Sequence, residues 1–236
     1  MEINILNYPT PRRAFIGVLA SGAAVLGVAS LAFPLPLKAG AANNNLKSST
    51  VEDPDLWFAK IKGKHRIVFD ATHPKEIFPF AWPRVFLLTN ESTGSKANDC
   101  GVVVILRHNA IPYAFEDKLW AKYKFGEMFK ADDPATNAPA VRNPFYKPAK
   151  GAYKIPGFGD VAIGIDELQA SGVMFCVCDA AISVNSAVTA EKMGLKAADV
   201  KQEWLQGLLP GIQPVPSGVW AIGRAHEHGC AYCAVD

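Results

Sequence analysis

A chain of 236 residues, half of them apolar and 19% charged, is long enough for one α/β domain of ordinary size and too apolar for an intrinsically disordered protein. Its 24 lysines and arginines nearly balance 22 aspartates and glutamates, and no long like-charge block occurs, which argues against nucleic acid as a partner. Five cysteines are too few for a disulfide scaffold at this length.

Much of the apolar excess sits in the first forty residues. Arg12-Arg13 precede Ala14-Phe15-Ile16, an apolar run diluted by Gly and Ala extends to Phe33, and Leu37-Lys38-Ala39-Gly40-Ala41 follows. This order of basic, apolar and small-residue regions resembles a twin-arginine export signal, with Pro11 departing from the Ser or Thr common before the arginines. Residues 14–33 also approach the ~20 residues that span a bilayer, so an uncleaved signal is the one route to membrane attachment. The Ala39-Gly40-Ala41 site and the polar Asn43-Asn44-Asn45 favour cleavage over anchoring. Removal of residues 1–41 takes away three bases and one acid and leaves a formally neutral chain. The resemblance implies export of a folded protein to the periplasm, where the cysteines meet oxidising conditions.

Residues 42–60 read as a polar linker, with a short helix over 55–61. A first strand is expected over 65–70, and a helix with Pro83 in its first turn ends near Asn90. Residues 101–106 lack polar alternation, as a parallel strand covered on both faces does. One helix is predicted over 115–129 from the stripe Phe115, Leu119 and Tyr123. The segment 131–160 carries Pro134, Pro139, Pro144, Pro148 and Pro156 and reads as a long excursion, too long for a common loop, whose Phe145 and Tyr146 suit packing on a neighbour. A helix over 165–170, a strand over 173–178, helices over 183–193 and 199–208, an edge strand over 212–215, a helix over 218–228 capped by Ser217 and a final strand over 230–235 complete the pattern. The sum is a three-layer α/β domain over 61–236 with a mostly parallel sheet of about five strands.

In such a sheet, side chains just past the carboxyl ends of strands face the ligand crevice. Asp70, His108 and Cys178 hold that position and are the candidate catalytic residues. Cys178 precedes a helix, whose positive end favours thiolate, and a neighbouring His108 would hold or deliver a proton; the plainer alternatives are a small core residue and a hydrogen-bonded histidine. Cys176 is expected on the same strand face but deeper, buried and inert. The terminal His226, His228, Cys230 and Cys233 offer a set that suits zinc or copper, and a Cys-x-x-Cys pair for a disulfide. In an extended strand, however, Cys230 and Cys233 lie about 10 Å apart at their α-carbons, beyond the ~7 Å bridging limit. There is no P-loop, dinucleotide fingerprint, nucleophile-elbow serine or His-Glu-x-x-His, and nothing calls for a cofactor.

Three stretches resemble one family. Gly172-Val173-Met174-Phe175-Cys176-Val177-Cys178-Asp179 is similar to the cysteine-bearing strand of the DsrE/DsrF-like (YchN-like) sulfur-handling proteins. Residues 102–106 with Arg107-His108-Asn109-Ala110 resemble its second strand and turn, and Pro216-Ser217-Gly218-Val219-Trp220 through His228-Gly229-Cys230-Ala231-Tyr232 resemble its last helix and strand. The excursion and the export signal depart from the better-known, cytoplasmic members. The resemblance implies the α/β fold, a cysteine at position 178 able to carry or transfer sulfur as a persulfide, a protein donor or acceptor of that sulfur, and a symmetric homo-oligomer. A non-catalytic, oligomeric binding or assembly module is the alternative.

Replacing Arg12 and Arg13 by Lys is expected to leave unprocessed precursor in the cytoplasm, read by immunoblots of cell fractions; unchanged periplasmic accumulation refutes the twin-arginine reading.

Overall fold

The computed structural model describes residues 52–157 and 159–235. The expected signal over 1–41 and the start of the expected linker lie outside the described residues. Among the described residues no helix is long and apolar enough to cross a membrane.

The centre is a five-stranded, all-parallel sheet. β1 (His65–Ala71), β2 (Cys100–Leu106), β7 (Met174–Cys178), β8 (Ile212–Val215) and β9 (Ala231–Val235) lie in the order β8-β7-β2-β1-β9. The chain steps outward from β1 to β8 and then crosses to the far side of β1 for β9. This is the α/β class expected from the alternating sequence. β2, the middle strand, is buried from Gly101 onward, which is why it carries no polar alternation.

Alternate residues feed two apolar clusters, one on each face. Val68, Val103, Ile105, Cys176 and Val215 meet α1 (Pro54–Phe58) and α8 (Gly218–Glu227) through Trp57, Phe58, Ala221 and Ala225. On the other face, Phe69, Val102, Val104, Leu106, Phe175 and Val177 meet a larger layer. That layer contains α2 (Phe78–Ser92), a 3-10 segment (His108–Ala114), α3 (Asp117–Tyr123), α4 (Phe125–Phe129), α5 (Ile165–Ala170), α6 (Asp179–Met193) and α7 (Ala197–Gln206). Four two-residue strands, β3 (Asp132–Asp133), β4 (Ala138–Pro139), β5 (Lys154–Ile155) and β6 (Gly159–Asp160), form two small hairpins between α4 and α5.

Several boundaries differ from the sequence reading. The fold takes in α1, capped by the Asp53 carboxylate, so residues 53–60 are no linker. α2 begins at Phe78, leaving Pro83 inside the helix, because the turn before it buries Phe80 and Ala81 and so offsets the backbone bond that proline forfeits. The helix expected over 115–129 is broken at Lys124, whose φ is +50°. Phe115, Leu119 and Tyr123 are buried as their stripe predicts, and the break lets Phe125 and Phe129 close on the Trp204 ring, with centroids 4.9 and 6.5 Å away. It also seats Gly126 on the Ala140 backbone, where a Cβ would collide with the Ala140 amide nitrogen and carbonyl oxygen. α6 starts directly after Cys178 rather than at residue 183, and α7 starts at Ala197, with Asp199 in its first turn instead of at its cap.

The proline-rich excursion packs on its own domain. Phe145 is fully buried against Phe80, Tyr113 and Tyr153, with centroids 4.3, 5.3 and 5.2 Å away. Asn143 explains how a loop this long is held: its side-chain amide donates to the carbonyls of Tyr113 and Phe115 (2.9 and 3.0 Å), and its Oδ1 accepts from the Phe145 amide (3.1 Å). A buried polar side chain with every partner in place ties irregular backbone to the core.

Asn143→Ala strands the Tyr113 carbonyl and the Phe145 amide, while the Phe115 carbonyl keeps the Trp120 indole donor, so it is expected to cost about 2–4 kcal/mol, read as a lower denaturation midpoint with loss of hydrogen-exchange protection across residues 140–155.

Candidate functional site

At the carboxyl end of the sheet, Asp70 sits on β1 with only 1% of its surface exposed. A carboxylate so placed requires partners, and it has three bonds. Arg107, the residue after β2, donates from Nε to Oδ1 (2.7 Å) and from Nη2 to Oδ2 (2.9 Å), and the Tyr232 hydroxyl of β9 donates to Oδ2 (2.8 Å). The bidentate pair fixes the guanidinium plane, and its attachment to the buried carboxylate keeps Arg107 charged, raising its pKa further. Asp70 is thus a positioning group, held by Arg107 and Tyr232 rather than open to the crevice.

The Arg107 stem crosses the start of α8. A Cβ on Gly218 would stand 2.5 to 3.0 Å from Cδ, Cβ and Cγ of Arg107, so the absence of a side chain there makes room for the stem. The loops after β1 and β2 are stitched together by the Arg107 amide on the Ala71 carbonyl (3.0 Å) and the Asn109 amide on the Thr72 carbonyl (2.9 Å). Between them opens a cleft of about 520 Å³ lined by Thr72, His73, Lys75, Arg107 and His108. His108 adopts φ +52°, a left-handed conformation uncommon for a residue with a side chain. Its ring meets that of His73 edge to face at 5.0 Å, and His73 Nδ1 is hydrogen-bonded to Thr72 Oγ1 (2.8 Å). Among the described residues, no hydrogen bond or ring contact joins His108 to Cys178.

Cys178 ends β7 and caps α6, where its Sγ accepts the Ala181 amide at 3.3 Å. It is 7% exposed and within Coulombic reach of Arg107. Cys176 is fully buried in the smaller cluster, and burial pushes its thiol far up. Cys178 packs instead with the larger cluster, since the capping role draws its sulfur over the start of α6; the two do not share surroundings as strand alternation suggests. Burial also raises the Cys100, Cys230 and Cys233 thiols, with Asp99 adding to the shift at Cys100 and Arg66 opposing it at Cys230.

The terminal histidines and cysteines are not gathered. Among the described residues no group of three or more His, Cys, Asp or Glu side chains is placed to hold a metal ion. Cys230 is buried in the smaller cluster, Cys233 lies further along extended β9, His226 is exposed, and the His228 ring stacks on Phe58 at 6.5 Å. Both cysteines are free thiols. The metal reading of His226, His228, Cys230 and Cys233 is corrected by the extension of β9, which separates residues that are close in sequence.

Thr72, His73, Lys75, Arg107 and Tyr232 are the members of this region that sequence reasoning missed. Arg107 carried a signal: a basic residue directly past a fully apolar strand, beside a strand ending in an acid. Tyr232 had none, because its link to Asp70 depends on β9 pairing with β1.

No family model matches the chain, and no curated protein does. A solved structure, that of MTH1491, a protein of unknown function from Methanobacterium thermoautotrophicum, is similar at 16% identity and a TM-score of 0.36, over 72% of this chain and 99% of that one.

Asp70→Ala leaves Arg107 and Tyr232 without their common acceptor and is expected to cost about 3 kcal/mol, against about 1 kcal/mol for Tyr232→Phe. Urea denaturation of both variants checks the order.

Proposed function

We propose that the protein carries sulfur on Cys178 as a persulfide, between a protein donor and a protein acceptor. The observation that supports this most is the Ala181 amide aimed at Cys178 Sγ at the carboxyl end of β7, beside Arg107. Reactive cysteines sit at helix starts and near cationic side chains, and Cys178 has both. The four other thiols are raised by burial and hence poorer nucleophiles at neutral pH.

In the loading step the Cys178 thiolate attacks the outer, sulfane sulfur of a donor persulfide. The new Sγ–S bond forms as the donor's S–S bond breaks, the donor leaves as a thiolate, and no electrons are gained or lost overall. Transfer to an acceptor thiolate is the same step in reverse. Arg107 offsets negative charge on the sulfur, and Asp70 positions Arg107. Export through the twin-arginine route would bring the folded carrier to the periplasm.

The second reading, an assembly module, draws on α6. Val184 and Val188, one helical turn apart, and Leu195 just beyond the helix are 64%, 44% and 46% exposed. A second copy of the chain is the occupant this reading assigns to that row, which would make the protein a homo-oligomer.

Mass spectrometry and light scattering on protein purified without reductant separate the readings. Sulfur added to Cys178, together with preferential alkylation of Cys178 at pH ~6 over the other thiols, is the expected result. Five unmodified cysteines in a stable oligomer, with Cys178 unlabelled at pH ~6 and at pH ~8.5, overturn the carrier in favour of the assembly module.

A further inference from the structure

We infer that the cleft between the loops after β1 and β2 binds a tetrahedral oxyanion, a phosphate or sulfate group, between Lys75, Arg107, His73 and His108. The cleft lies at the carboxyl edge of a parallel sheet, beside β1, the strand from which the chain departs in one direction and to whose other side it returns for β9. Ligands of open α/β sheets bind outside the carboxyl ends of the strands. Its volume of about 520 Å³ accommodates the ion and part of a larger molecule.

The lining is one-sided in charge. Lys75 and Arg107 are cations, His73 and His108 bring two imidazoles, Thr72 a hydroxyl, and no carboxylate lines the cleft. Of the acids at this edge, Asp70 is buried and engaged, and Glu76, the exposed residue after Lys75, is not among the lining residues. That engagement uses Nε and Nη2 of Arg107 and leaves Nη1 with no hydrogen bond among the described residues, so the guanidinium is clamped on one edge and open on the other. Lys75 likewise has no ion pair among the described residues, although ten such pairs occur elsewhere in them. Two cations lining one cleft repel one another, and an anion between them removes that cost.

The backbone adds an independent observation. Two residues with side chains hold left-handed conformations at the cleft's two loops, Glu76 (φ +47°) next to Lys75 and His108 (φ +52°) next to Arg107. Strain of this kind persists where surrounding structure imposes it and clusters at ligand clamps. Here it accompanies the placement of the His108 ring against His73, with Nδ1 of His73 already engaged by Thr72, so that His73 Nε2 remains for a ligand.

The site does not rest on sulfur carriage, and its test uses the Cys178→Ser protein so that the two stand or fall separately. Inorganic phosphate, inorganic sulfate and glycerol phosphate are titrated calorimetrically at physiological ionic strength. One saturable site is expected, weakened at least about tenfold by Lys75→Gln and by His108→Gly, and unchanged by Lys192→Gln on exposed α6. Glycine keeps the φ of residue 108 without strain, and should that variant still fail to fold, Lys75→Gln decides. Tighter binding of glycerol phosphate assigns the site to the phosphate group of a small metabolite, and tighter binding of an inorganic ion assigns it to the free ion; both uphold the oxyanion site. Absence of saturable binding for all three, or binding that Lys75→Gln leaves intact, overturns it.

Discussion

The buried carboxylate of Asp70 holds together three parts of the chain that sequence separates. A charge removed from water is costly until donors surround it, and here the donors arrive from the residue after β2 and from the second residue of β9. β9 needs such a tie. It is an edge strand whose Ala231, Tyr232 and Ala234 are exposed and whose Val235 is its one fully buried side chain, so apolar burial alone anchors it weakly. The Tyr232 bond and the β1 ladder together set its register. The same carboxylate aims Arg107, and Gly218 leaves room for the arginine stem to lie flat. Sheet order and the electrostatics of the crevice therefore share one origin.

The larger face of the sheet solves a different problem. About thirty residues between α4 and α5 contain little regular structure, and their backbone must find partners or water. Asn143 and the Tyr153 hydroxyl, which donates to the Pro144 carbonyl at 2.6 Å, supply partners inside the fold. The rings of Phe145 and Tyr153 stack and close over Phe80 and Tyr113, so the prolines shape a lid on the core instead of a free arm.

Arg107 is shared between the two proposed chemistries of this edge. It stands within Coulombic reach of the Cys178 sulfur and also forms a wall of the basic cleft. A clamped guanidinium suits both, because it offers charge and a donor edge without having to be ordered when a ligand arrives. Cys178 has its own donor in the first turn of α6. The sulfur and the cleft thus have separate ligand-facing groups but lean on one arginine and one buried acid.

The α/β class, five strands and most helices were legible because periodicity and burial are local properties. The unbroken apolar run of β2 and the Ser217 cap of α8 each sit where the local pattern indicates. The carboxyl-end rule likewise picks out Asp70, His108 and Cys178 from strand position alone. Local pattern could not say which of these touch. Asp70 faces Arg107 and Tyr232, 37 and 162 residues away, and His108 faces His73, because strand order and register determine those contacts. It also suggested a continuous helix over 115–129 and a clustered metal site at the terminus, where long-range packing breaks the first at Lys124 and the extension of β9 disperses the second. The sequence by itself determined most of the segments that become strands and helices and which of their faces are apolar, since those depend mainly on neighbours a few residues away. Only the tertiary structure decided how the carboxyl-end side chains pair, since a buried charge takes whatever partner the sheet order brings within hydrogen-bonding distance.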